Sequence, residues 1–123
     1  MRVLVIDDEK FVADTLVMIL QRSGWEALAA YDGYMALQRV DSFQPAVVIS
    51  DVIMPGMNGI EVCQVIQSKY PRCHIFLSSG QAASNELLNE ARRKAFDWDL
   101  LAKPVEPEDL LALLSPIANE QDS

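Results

Sequence analysis

A chain of 123 residues, half of them apolar, is long enough for one domain that buries roughly two thirds of its unfolded surface. That composition is globular rather than disordered, and the length removes any need for a structural metal or disulfide framework. Eighteen acidic against ten basic residues leave a net charge of −8, which excludes gripping nucleic acid or an anionic membrane through the overall field.

The N-terminal run Val3–Ile6 is a strand candidate, too short for a signal peptide or a membrane span, so a cytoplasmic location is expected. It meets the acids Asp7 and Asp8. Val12, Leu16, Ile19 and Leu20 then recur at helical spacing, with Gly24 as a stop after Ser23. Ala27–Ala30 reads as a second strand, and Asp32 as the N-cap of a helix carrying Ala36, Leu37 and Val40. Ala46–Ile49 reads as a third strand, followed by Ser50, Asp51 and the turn-rich "MPGMNG". Asn58 opens a third helix through Val62, Cys63 and Ile66, ended by Pro71. Ile75–Leu77 and Leu100–Ala102 complete the strands. Leu87, Leu88, Ala91 and Ala95 mark a fourth helix, and Pro107 opens a fifth with Leu110, Leu111, Leu114 and Ile117. Cys63 and Cys73 lack metal-ligand spacing and read as reduced core thiols.

The strand runs are continuous and aliphatic, as in a parallel sheet covered on both faces. Five βα units with right-handed crossovers form an open sheet with helices on both sides. The ligand site of such a sheet lies at the carboxyl ends of its strands. If strands one and three are neighbours, Asp7, Asp8 and Asp51 meet there, joined by Lys103 and by Ser78 or Ser79. Two charges about 4 Å apart repel by roughly 4 kcal/mol at an effective dielectric near 20. Three such pairs would consume much of a stability of about 5–15 kcal/mol. Lys103 offsets part of that cost, and a divalent cation with oxygen ligands, Mg²⁺, would offset more. Taken singly, Asp7 or Asp8 could equally be a helix cap.

In order along the chain, "VIDDEK", "SDVIMPGMNG", "FLSSG" and "LAKP" resemble the receiver domain of bacterial two-component response regulators, over about residues 2–118. The resemblance implies a flavodoxin-like, doubly wound (βα)5 fold with strand order 2-1-3-4-5. The chain then divides into a receiver, 1–118, and a tail, 119–123, whose polar "NEQDS" reads from the sequence as frayed. The resemblance implies that Asp51 accepts a phosphoryl group from a sensor histidine kinase or phosphotransfer protein, with Mg²⁺ bound by Asp7, Asp8, Asp51 and the carbonyl of Ile53. Ser79 is the implied hydroxyl contact, with Ser78 as its alternative, and Lys103 is the implied cation. A cis Lys103–Pro104 peptide is implied too.

Such a chain is an acceptor with slow autodephosphorylation rather than an enzyme with a separate substrate. Its expected partners are the phosphodonor, a downstream protein target and a second copy through the face of helix four, strand five and helix five. No output domain follows residue 118, so protein contact or phosphoryl relay is the expected mode, unless the chain is a piece of a longer one. The alternative is a degenerate receiver that binds a partner without phosphorylation, against which the intact residue set argues. An aspartyl-phosphate hydrolase would want a second aspartate where Ile53 stands, and a flavin module would want a Ser/Thr-rich loop where "DDEK" stands. The family's aromatic three residues before the lysine is Leu100 here, "AFDW" stands where Gly-Ala is frequent, and Val105 stands where Phe is common. Phe96 and Trp98 therefore read as packing residues, with partner contact as the alternative. His74 reads as a strand-end residue, with a phosphohistidine or metal ligand as the alternative, and "ARRK" (91–94) as a solvated helix end, with partner docking as the alternative.

Overall fold

The computed structural model describes residues 1–80, 84–96 and 98–122. Asp97, within "AFDW", and Ser123, in the expected tail, lie outside them. The elements alternate as β1 (Arg2–Ile6), α1 (Lys10–Arg22), β2 (Glu26–Ala30), α2 (Gly33–Phe43), β3 (Val47–Asp51), α3 (Gly59–Lys69), β4 (His74–Ser79), α4 (Ser84–Arg93), β5 (Asp99–Ala102) and α5 (Pro107–Asp122). The strands form one parallel sheet in the order β2-β1-β3-β4-β5. This is the doubly wound, flavodoxin-like arrangement that the sequence pattern and the resemblance imply.

Two cores flank the sheet because successive strand residues point to opposite sides. Leu4, Ile6, Val48, Ile75 and Leu77 pack under α2, α3 and α4. Val3, Val5, Val47, Ile49, Phe76 and Leu101 pack under α1 and α5, against Leu16, Leu20, Leu110 and Leu114. Strands covered in this way must be aliphatic at every position, so their runs show no alternation. Full burial of each large side chain contributes roughly 1.5–3 kcal/mol.

Side-chain caps fix the starts of α2 and α3. The Asp32 carboxylate accepts from the Met35 N–H at 2.7 Å. Asn58 and Glu61 form a reciprocal capping box, at 2.9 and 3.1 Å, that starts α3 directly after the β3 turn. Among the described residues no helix is long and apolar enough to cross a membrane.

Several boundaries depart from the sequence pattern, β4 among them, which runs on from Leu77 through Ser79. β3 runs two residues further than its apolar stretch, through Ser50 and Asp51. α4 stops at Arg93, and Ala95 lies beyond it in the left-handed region at φ 71°. The expected frayed tail is instead helical as far as Asp122, carrying Pro116 inside α5. Proline removes a backbone donor, but the carbonyl it leaves unpaired belongs to Ala112 on the exposed side of the helix, where water can serve it.

Candidate functional site

The carboxyl ends of β1, β3, β4 and β5 supply every predicted site residue. The Asp7 N–H continues the β1–β2 ladder by donating to the Ala30 carbonyl at 3.0 Å. Its carboxylate turns inward, is almost fully buried, and accepts from the Glu9 N–H at 3.0 Å. Asp8, one residue on, is exposed. Asp51 ends β3 and is 8% exposed. One carboxylate oxygen from each of Asp7, Asp8 and Asp51 lies within 4.8 Å of the others.

Lys103 reaches the same point from the end of β5, its Nζ 3.0 Å from Asp51 Oδ2 and 3.5 Å from Asp7 Oδ2. The Lys103–Pro104 peptide is cis, as the resemblance implies. Two glycines permit these approaches. A Cβ on Gly59 would lie 1.9 Å from the Asp51 carbonyl oxygen, so α3 can abut the end of β3 only without one. A Cβ on Gly80 would lie 3.0 Å from the Lys103 Cβ.

Charge is not balanced by the protein alone. Burial pushes the Asp51 carboxyl above its ordinary range and the Asp7 charge adds to that, while Lys103 and the Ile53 N–H pull it back without cancelling it. Burial works against the Lys103 ammonium, but its contacts with Asp51 and Asp7 outweigh that and raise it above the ordinary lysine value. Among the described residues, these three carboxylates against the one ammonium that contacts them leave an excess of two negative charges. A hard divalent cation held by oxygen donors fits that set, and Mg²⁺ suits a site of few protein ligands with room for water.

The site opens into a cleft of about 650 Å³ lined by Asp8, Asp51, Ile53, Ser78, Ser79 and Lys103. Ser78 is buried on the Phe76 side of the sheet, whereas Ser79, half-buried, stands at the mouth beside Gly80. The cleft continues past Glu9 along α1, by Phe11, Val12 and Ile19, toward Val105 and Pro107. The sequence pattern missed this extension. Its only signal is the aromatic Phe11, two residues after Glu9 and 83% exposed.

Other singled-out residues lie elsewhere. His74 begins β4 opposite Val47, four residues or about 13 Å along the strand from Ser78 and Asp51. Phe96 and Trp98 pack against the core under α3 and α4. In "ARRK", Ala91 is buried while Arg92, Arg93 and Lys94 are exposed in and beyond the last turn of α4. Cys63 and Cys73 are buried free thiols, with burial pushing Cys73 up to about 12.

The sequence model of the response regulator receiver domain family matches residues 3–115. The chain belongs to that family. This receiver is similar to the chemotaxis protein CheY4 of Vibrio cholerae, with 30% identity, a TM-score of 0.81, and coverage of 94% of this chain and 96% of that one. It also resembles a two-component transcriptional regulator, AraC, of Clostridium phytofermentans, at 27% identity and TM-score 0.79, with 100% and 99% covered. A receiver domain protein of Clostridium thermocellum shares the fold at TM-score 0.85 and 24% identity, with 98% and 96% covered.

Proposed function

We propose that this receiver accepts a phosphoryl group on Asp51 from a sensor histidine kinase or phosphotransfer protein, and that the resulting acyl phosphate switches a protein-binding surface. One observation carries the reading: a nearly buried carboxylate ends a central strand, 3.0 Å from an ammonium and within 4.8 Å of two further carboxylates, at the mouth of a cleft.

In the proposed reaction an Asp51 carboxylate oxygen attacks the donor phosphorus in line. The new O–P bond forms as the bond from phosphorus to the donor's imidazole nitrogen breaks, and that nitrogen leaves with the bonding pair. Lys103 neutralises charge on the phosphoryl oxygens. Ser79 stands where its hydroxyl can contact them. Asp7, Asp8, Asp51 and the carbonyl of Ile53 would hold Mg²⁺, which supplies further positive charge for the phosphoryl oxygens. The product carries about −1.5 to −2 charges. Two charge-assisted hydrogen bonds from Ser79 and Lys103, at roughly 1.5–3 kcal/mol each, would then bias the fold toward a second state.

The exposed Phe11 and the apolar continuation of the cleft favour a protein as donor, since a small phosphate ester would leave that surface wet. Output would run through the α4–β5–α5 face, where Leu100 and Leu113 are exposed, to a cytoplasmic target or a second copy. The chain acts as an acceptor rather than an enzyme with its own substrate.

Incubation with acetyl phosphate and Mg²⁺, followed by intact mass measurement, tests the reading. Wild type gains one phosphoryl group and Asp51→Asn gains none. An unmodified wild type would instead favour a receiver that binds its partner without phosphorylation.

A further inference from the structure

Lys103 is delivered to the site by the least secured strand of the sheet. β5 has four residues, lies at the sheet edge, pairs only with β4, and buries only Leu101. A side chain's face depends on register, and a one-residue slip exchanges the two faces. Such a slip would lift Leu101 out of its core and turn Lys103 away from Asp51. One buried leucine is a weak specification of register, yet the Lys103–Asp51 contact depends on it.

A single carboxamide at the far end of the sheet supplies the missing constraint. Gln67, near the end of α3, accepts from the Trp98 indole N–H at 2.9 Å through its Oε1. Its Nε2 donates to the carbonyls of Cys73 and Pro71, both at 3.1 Å, with a longer contact to the Tyr70 carbonyl at 3.5 Å. Cys73 immediately precedes β4 and Trp98 immediately precedes β5. One side chain therefore fixes the starts of both paired strands against each other. Trp98 is further held by its half-buried ring, which stacks on Phe96 with centroids 5.1 Å apart and packs against the core beneath α3 and α4.

We infer that Gln67 and Trp98 are positioning residues that pin the β4–β5 register and so aim Lys103 at Asp51 from the opposite end of the strand, about 16 Å away. Neither residue touches the reacting atoms. Both act through Lys103, and the inference rests on the proposed phosphoryl-acceptor role of the site only where phosphorylation is its readout.

The test uses Trp98→Phe, which keeps a ring against Phe96 and removes the N–H, and Gln67→Met, which keeps length and removes the carboxamide. Each variant is made in wild type and in Lys103→Ala. With acetyl phosphate and Mg²⁺, each lowers the rate of phosphoryl uptake about fivefold in the wild-type background. Neither lowers it further in the Lys103→Ala background, because the residue they act through is gone. Unchanged rates in wild type, or the same fold loss with and without Lys103, would overturn the pin.

Amide exchange gives a second arm independent of phosphorylation. Both variants speed exchange at Leu101 and Lys103 while Leu4 and Val48 in the central strands stay protected, which also shows that the variants fold. Unchanged exchange at Leu101 and Lys103 would overturn the pin. If wild type takes up no phosphoryl group, the Asp51 reading fails and the exchange arm alone decides the register.

Discussion

The two sides of the site are built differently. The acidic side rests on β1 and β3, central strands in which every residue of β3 is buried and only Arg2 of β1 is exposed. The basic side rests on β5, an edge strand with one buried residue. Leu77 and Leu100 show the contrast within one ladder rung: they are register partners, yet Leu77 is 0% and Leu100 43% exposed. Core packing thus holds the carboxylates close together against their repulsion, while the lysine that answers them is held by local devices. These are Gly80 at one end of the strand and the Gln67–Trp98 contact at the other.

The sharpest way to break this contrast is to truncate both leucines. Leu77→Ala is expected to cost about 3 kcal/mol in urea unfolding, as for other fully buried leucines. Leu100→Ala should stay within about 0.5 kcal/mol, because little is buried there to lose. Equal losses would show that the edge strand is as tightly packed as the centre. Gly59→Ala comes next, expected to cost about 2–3 kcal/mol, since the added methyl meets the Asp51 carbonyl at 1.9 Å and α3 must shift. The same measurement checks it.

Asp51→Asn works in the opposite direction. It removes a charge that burial disfavours, so without metal it should stabilise the fold modestly at neutral pH. The sign follows from linkage. The folded state holds the Asp51 proton more readily than the unfolded chain, so wild type loses stability as pH rises from the ordinary carboxylate range through the raised folded value. The gap between variant and wild type therefore opens across that window and closes below it, which unfolding at several pH values would record. Added Mg²⁺ should narrow the gap from the wild-type side, because a ligand bound only by the folded state stabilises it. The smallest effect belongs to Ala95→Gly. Ala95 is exposed at φ 71°, a left-handed position that disfavours a Cβ, so glycine should add up to about 1 kcal/mol of stability.

How much of this could be read from sequence follows the same divide. The central strands were legible because burial on both faces forces unbroken aliphatic runs, and Asp7, Asp8 and Asp51 were legible because those runs end on them. The extra two residues of β3 were not legible: Ser50 is polar yet wholly buried, its hydroxyl bonded to the Asp51 carbonyl. The end of α4 was misplaced because Ala95 is a good helix former that tertiary structure places in a left-handed cap. The helix in the tail was not legible because the polar "NEQD" carries no apolar stripe to mark a buried face. Trp98 was read correctly as a packing residue, but its partner Gln67 lies 31 positions away, and no local pattern records that contact.

The account depends most on Asp51 being the residue that takes the phosphoryl group. Treatment with acetyl phosphate and Mg²⁺, followed by borohydride, reduces an acyl phosphate to an alcohol and marks the acceptor permanently. Peptide mass spectrometry should then find homoserine at position 51 alone. Homoserine at Asp7 or Asp8, phosphate on Ser78 or Ser79, or an unmarked chain would contradict it.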